Sequence, residues 1–332
     1  MINSEKGLIA RHSLILKSMN KSVFGHYSNG NHLTTICSDG TRIRSTFDED
    51  ATEFTFNFAE NFDCKITDYC DGGCPYCHEG STTNGKHCDI NLNIFKTLHP
   101  YQEVAIGGGN LLAHPQLIEL LTTIKQTKAI ANITVNQKHL SKNKDLLYKL
   151  QKEGLIQGIG VSLTNSSSKE DLEIIESLGD NCVIHVINGI LTKADLEFIK
   201  NKKVLILGYK DNIRNGKKFY DSNTAKVEVN KAWLKANLNN IKNNVKTLSF
   251  DNLALVQLDA KNTLSISDDE WAVLFQGKEN TSTFYVDAVT KTIGKTSTCP
   301  IEERATLNDD TTYDEAFNMS KNISWQPIDY NI

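Results

Sequence analysis

Three of the eight cysteines, Cys70, Cys74 and Cys77, fall within one short loop, KITDYCDGGCPYCHEG, while Cys37, Cys64, Cys88, Cys182 and Cys299 are scattered. Thiolates separated by three and then two residues can converge on one small centre, so the crowding reads as a metal site and not as a disulfide framework. Gly72 and Gly73 let the backbone wrap closely, which turns exposed N–H groups toward the sulfurs. Three ligands on a four-iron cluster leave one iron open, and an open coordination position separates reactive metal sites from sealed ones. The rival reading is a structural zinc site completed by His78, His87 or Cys88.

Such a loop needs a scaffold. It directly follows FDCKI, the first of six short, mostly apolar runs; the others are VAIG, NITV, GIGVSL, CVIHVI and KVLIL. Runs of this kind suit parallel strands buried on both faces. Amphipathic segments lie between them: 115–128 with apolar residues at Leu117, Ile118, Leu120, Leu121 and Ile124, 144–152, 169–178 opened by a capping-box pattern at Ser167 and Glu170, and a helix begun by Thr192. The alternation predicts an α/β fold, a partial (β/α)6 TIM-type barrel with right-handed crossovers. The cysteine loop then sits at the C-terminal face, where barrels keep their chemistry.

Residues 1–60 predict a β-rich N-terminal extension, in which HLTTIC and TRIRST flank a Ser38-Asp39-Gly40 turn and TEFTFNF alternates at period two. Residues 61–259 hold the barrel, with GYKDNIRNGKKFYDSN as a long loop, a helix over 231–244 and KTLSF as one more strand. Residues 260–332 predict a mixed C-terminal extension with a helical piece near 268–274 and the hairpin-like TFYVDAVTKTIGKTST.

At 332 residues with 39% hydrophobic and 23% charged content, the composition is that of an ordinary globular protein. A net charge of -4 gives no reason to expect nucleic acid or an anionic membrane as partner. The N-terminal stretch is charged too early for a secretory signal, and no apolar run approaches a membrane span, so the expected location is cytoplasmic.

With these residues in place, the chain resembles the radical S-adenosylmethionine family, most nearly its phage and bacterial members. The CxxxCxxC triad carries an aromatic residue, Tyr76, just before the last cysteine. VAIGGGNLLAHP resembles the family's glycine-rich GGE-type motif near the methionine amino group, at Gly107, Gly108 and Gly109. ITVNQ resembles a TNG-type strand end at Asn136, and GVSLT puts Ser162 where a polar contact to ribose or methionine carboxylate falls. ILGYK, with Leu207, resembles the segment that packs along adenine. The chain departs from the pattern at Gly109 and Asn110, where many relatives have glutamate and proline; backbone carbonyls or Asn110 would then take the methionine ammonium. The likeness spans roughly 62–211 and, more loosely, LSFDNLAL.

The resemblance implies a 4Fe-4S cluster on Cys70, Cys74 and Cys77, S-adenosylmethionine chelating the open iron, and an electron donor such as flavodoxin or ferredoxin. Reductive cleavage would give methionine and a 5′-deoxyadenosyl radical that abstracts hydrogen from a small-molecule or peptide substrate, which the sequence does not name. After Cys182 only Cys299 remains, which argues against a C-terminal domain with auxiliary clusters, and only Cys37 and Cys64 precede the signature, which argues against the methylthiolating subclass. Cys299, in STCPIEER, is the one candidate for a catalytic thiol, as a hydrogen-atom donor if the C-terminal extension covers the barrel mouth. His185, within an apolar strand, is either a core residue or a substrate contact. A reading from another class is a non-catalytic zinc-binding or iron–sulfur electron-transfer protein on the same scaffold.

Overall fold

The computed structural model describes residues 4–164, 168–275, 277 and 280–326. It opens with a helix, Glu5–Ser18, capped by the Ser4 hydroxyl, which accepts from the Gly7 N–H at 3.2 Å. The helix lays Leu8, His12 and Leu16 on an antiparallel sheet of β1 (Val23–Asn29), β2 (His32–Cys37) and β3 (Arg42–Thr46). HLTTIC and TRIRST pair around the Ser38-Asp39-Gly40 turn as expected. TEFTFNF does not form a strand. The backbone N–H groups of Thr55 and Asn57 donate to the side chains of Asn31 and Asn29, each at 2.8 Å, so local side-chain bonds replace a ladder.

The rest of the chain builds a ten-stranded sheet from β4 (Asn61–Thr67), β5 (Glu103–Gly108), β6 (Ile130–Asn136), β7 (Gly158–Ser162), β8 (Cys182–Ile187), β9 (Lys203–Leu207), β10 (Thr247–Phe250), β11 (Thr283–Asp287), β12 (Thr292–Gly294) and β13 (Ala305–Thr306). The order is β10-β9-β8-β7-β6-β5-β4-β11-β12-β13, parallel from β10 through β11. The six runs read from the sequence are β4 to β9. They are not buried on both faces. Phe62, Ile66, Val104, Ile106 and Ile133 are buried beneath helices such as Leu117–Gln126 and Leu140–Lys152, whereas Asp63, Ala105, Asn132 and Thr134 face the other way and line a cavity.

Three further differences have local causes. The expected loop after Leu207 is largely a helix, Arg214–Asn244, kinked at Asn223, which buries Val227, Leu234, Leu238 and Ile241 at helical spacing; its basic first half is a solvated face with an i,i+4 pair, Lys217–Asp221. TFYVD and its partner do form a hairpin, but β11 also pairs in parallel with β4, so the end of the chain continues the same sheet. The helix Lys169–Ser177 carries its capping box on Ser168 and Asp171, one residue on from the expected Glu170 pairing; Ser167 lies outside the described residues. No helix among the described residues is long and apolar enough to cross a membrane.

The N-terminal sheet closes one end of the cavity. Gln157 Nε2 and Asn181 Nδ2 donate to the Ser38 carbonyl at 2.8 and 3.1 Å, and Lys203 Nζ donates to that of Asp39 at 3.3 Å. Those donors stand at the starts of β7, β8 and β9, so the turn plugs the N-terminal mouth.

Candidate active site

The loop that follows β4 carries Cys70, Cys74 and Cys77 as free, half-buried thiols on the wall of one cavity of about 860 Å³. Turn bonds shape it: Cys77 N–H donates to the Cys74 carbonyl at 3.1 Å and Cys70 N–H to that of Thr82 at 2.9 Å. Gly73 adopts φ +58°, and the Gly72 N–H donates to Cys70 Sγ at 3.3 Å. The segment after β6 pins the loop from the side. Asn136 Nδ2 donates to Cys74 Sγ at 3.5 Å, Lys138 Nζ donates to the Gly72 carbonyl at 2.7 Å, and His139 Nε2 lies 3.8 Å from Cys70 Sγ. Sequence reasoning singled out Asn136 and passed over Lys138 and His139, which stand two and three residues on in VNQKHL. Burial raises the Cys70 and Cys74 thiols, opposed by the Gly72 N–H at the first and by Lys138 at the second; a cationic centre among the sulfurs would reverse the shift.

Among the described residues no three Cys, His, Asp or Glu side chains gather as ligands of a single ion. In an iron–sulfur cluster each thiolate takes a different iron, so the sulfurs need share a wall and not a point. The groups that would complete a zinc site are engaged elsewhere: His78 pairs with Glu79 at 3.1 Å, His87 bonds Thr67 Oγ1 at 2.8 Å, and Cys88 is buried with Sγ 3.8 Å from His114 Nε2.

The glycines at the end of β5 do different things. A Cβ on Gly108, where φ is +115°, would stand 2.4 Å from the Thr67 carbonyl oxygen, and one on Gly109 would stand 2.1 Å from that of Tyr69. The chain's own folding demands both glycines. A Cβ on Gly107 meets nothing within 4 Å and enters the cavity. Asn110, three residues on, is buried off the cavity wall and donates from Nδ2 to Asp71 at 3.1 Å, while its Oδ1 accepts no hydrogen bond among the described residues.

Ser162 and Leu207, at the ends of β7 and β9, line the same cavity, as does Tyr76, whose ring meets Phe219 edge-on at 5.6 Å between centroids. Cys299 stands apart. Its buried thiol contacts the Pro300 carbonyl at 3.7 Å and is not on the cavity wall, whereas Ser297 is, accepting from Lys210 Nζ at 2.9 Å. The cavity also holds polar groups that sequence reading did not single out, Asp63, Tyr285 and Asp251 among them. Only their place on the inward side of β4, β11 and the end of β10 marks them, and that face was not legible before the sheet order was known.

No protein-family model and no curated protein matches the chain. Solved structures do. SuiB from Streptococcus suis, in a crystal structure bound to the precursor peptide SuiA, aligns at 12% identity over 82% of this chain and 82% of its own, with a TM-score of 0.50. SuiB bound to S-adenosylmethionine aligns at 12% identity over 76% of this chain and 64% of its own, with a TM-score of 0.48. The likeness to the peptide-bound structure is one of fold.

Proposed function

We propose that the chain is a radical S-adenosylmethionine enzyme in which Cys70, Cys74 and Cys77 hold a 4Fe-4S cluster and the ends of β5, β6, β7 and β9 hold the cofactor. One observation carries the reading: the three cysteines, Tyr76, Gly107 to Gly109, Asn136, Ser162 and Leu207, drawn from five separate segments, line one cavity at the C-terminal side of a parallel sheet. When bound, the reduced cluster supplies one electron to the sulfonium and splits S-adenosylmethionine into methionine and a 5′-deoxyadenosyl radical.

The residues present fit that pair of cofactors. The space beside Gly107 is a cradle that a side chain would fill. Asn110 is not on the cavity wall, so the backbone carbonyls of the glycine run are left to take the methionine ammonium in place of the glutamate of the family motif. Ser162 is positioned for a polar contact from the end of β7, and Tyr76 and Leu207 supply apolar surface for adenine. The plug at Ser38 and Asp39 closes the far mouth, which keeps solvent from that end of the cavity. Eight free thiols suit a reducing, cytoplasmic compartment, with a flavodoxin- or ferredoxin-type electron donor. SuiB was crystallised with a precursor peptide, so peptides join small molecules as the substrate classes to try first.

Anaerobically reconstituted protein should be brown, contain about four irons per chain, and release 5′-deoxyadenosine and methionine when given S-adenosylmethionine and dithionite. A colourless protein that binds zinc and yields neither product rejects the reading. Gly107→Val should fill the cradle without strain in the fold, so iron content and melting temperature stay near wild type while S-adenosylmethionine affinity falls about tenfold or more. A titration with unchanged affinity moves the cofactor away from β5.

A further inference from the structure

The middle of the cavity, one layer below the glycine turn, is walled by small residues, Ala105, Gly158 and Gly160. The imidazole of His185 occupies the space that a side chain on residue 160 would take, since a Cβ there would stand 2.3 Å from its Cε1. Asp63 on β4 and His185 on β8 face this space from strands separated by β5, β6 and β7. The side chain of neither makes a hydrogen bond or ion pair among the described residues.

The cations of the cavity, by contrast, are engaged. Lys65 meets Asp68, Glu79 at 3.1 Å and Asp287 at 3.4 Å; Lys203 is bound to the Asp39 carbonyl and Lys210 to Ser297. Asp251 is occupied as well, its Oδ1 accepting from the N–H groups of Gly208 and Ala254 at 2.9 and 2.7 Å. That leaves Asp63 as the carboxylate without a partner. Its register neighbour on β11 is Tyr285, which points to the same side, is 3% exposed, and has a hydroxyl with no hydrogen-bond partner among the described residues. A buried phenol without a partner is costly unless a ligand completes it, and the Asp63 carboxylate beside it is open to the cavity and so free to meet the same ligand.

We propose that Asp63 and Tyr285 form the substrate subsite of this cavity, with His185 on the wall that faces them, and that it takes a protonated amine or a guanidinium. The cation gives Asp63 a charge-assisted hydrogen bond and the phenol oxygen accepts a second, while the imidazole of His185, in register with Ser162, faces the same cavity from β8. Burial raises the Asp63 carboxyl, Lys210 opposes, and Glu79 and Asp251 add to the rise, so a bound cation relieves the carboxylate. Burial lowers His185 to about 4, so its ring carries no charge at neutral pH to repel a cation. Lys65, two residues beyond Asp63, is in register with Gly107, which separates the subsite from the cofactor cradle by roughly 7 Å along the strand. The substrate therefore carries its cation a few bonds from the atom offered to the cofactor; that last step rests on the function proposed above.

The test uses n-butylammonium, n-butylguanidinium, n-butanol and butyrate as probes, titrated into the reconstituted protein with S-adenosylmethionine and followed by saturation-transfer NMR. The two cations should bind about tenfold more tightly than butanol, with butyrate weakest. Asp63→Asn should erase the preference, and Tyr285→Phe should reduce it at least threefold; if Asp63→Asn does not fold, Tyr285→Phe decides. Equal binding of cation and alcohol, preference for butyrate, or a preference that survives the decisive variant overturns the subsite. Iron and 5′-deoxyadenosine are assayed on the same wild-type sample. Iron and cleavage without cation preference sink the subsite alone, whereas cation preference without cleavage sinks the radical reading and leaves the subsite standing.

Discussion

Cys74→Ala is expected to lose most of its iron and all detectable cleavage of S-adenosylmethionine. The sulfur lies at the cavity wall with Asn136 Nδ2 at 3.5 Å, between Cys70 and Cys77 in the loop. An iron–sulfur cluster with one ligand removed has no other thiolate to take its place, since Cys88 is buried against His114 and Cys64 lies within the core. The loop itself should survive, because its fold rests on backbone bonds such as Cys70 to Thr82 and on the Lys138 clamp at Gly72, none of which uses the Cys74 sulfur. Circular dichroism should therefore be unchanged while iron and 5′-deoxyadenosine vanish together. Cys182→Ala is the matched control: its thiol is buried away from the cavity, and its loss costs a small core void but should spare both readouts. Full iron and full turnover in Cys74→Ala would falsify the ligand assignment.

How much of this was legible beforehand follows from the range of each signal. The cysteine loop and the strand runs are local patterns of a few residues, and all six runs became strands of one sheet. The inward face of those strands was not legible. FDCKI alternates apolar and charged residues, which puts Asp63 and Lys65 on one face, but only the pairing of β4 with both β5 and β11 makes β4 a central strand and turns that face to a cavity instead of to solvent. The first half of the helix Arg214–Asn244 was hidden because Arg214, Asn215, Gly216, Lys217 and Lys218 have turn-like composition, and Phe219 and Tyr220 pack instead on a satellite cluster around Tyr209 and Ile190. Tertiary burial overrode weak local preference there. At β11 the local signal was right and the reach was wrong: the hairpin is visible in sequence, but a parallel pairing to a strand more than two hundred residues earlier leaves no mark in either segment. The glycine run divides in the same way, for Gly108 and Gly109 are explained by close backbone approach and only Gly107 by open space.

Glu60→Gln is expected to destabilise the protein by about 3–5 kcal/mol, because it breaks a buried ion network while leaving its cations in place. The Glu60 side chain is 0% exposed. It accepts from Tyr27 and Thr34 at 2.9 Å, from His32 at 3.3 Å, from Arg42 at 3.2 Å and from Arg44 Nε at 2.8 Å. Those donors stand on β1, β2 and β3, while Glu60 adjoins β4 and donates its own N–H to Ser282 at 2.8 Å, so one carboxylate joins the N-terminal sheet to the large one. Burial alone would raise this carboxyl; the His32 hydrogen bond and the charges of Arg42 and Arg44 outweigh it and hold the group well below the usual carboxylate range. The sign of the pH effect follows. With the folded value depressed, the contribution is complete above the ordinary glutamate value of about 4.3 and declines as pH falls below it, because the unfolded chain takes up a proton that the folded one refuses. Urea unfolding of the cluster-free protein should show a large gap between wild type and Glu60→Gln at neutral pH, with unchanged slope. The gap should shrink in acid as wild type loses the same charge. A difference under about 1 kcal/mol at neutral pH would place the network among ordinary surface ion pairs and leave the junction to apolar packing.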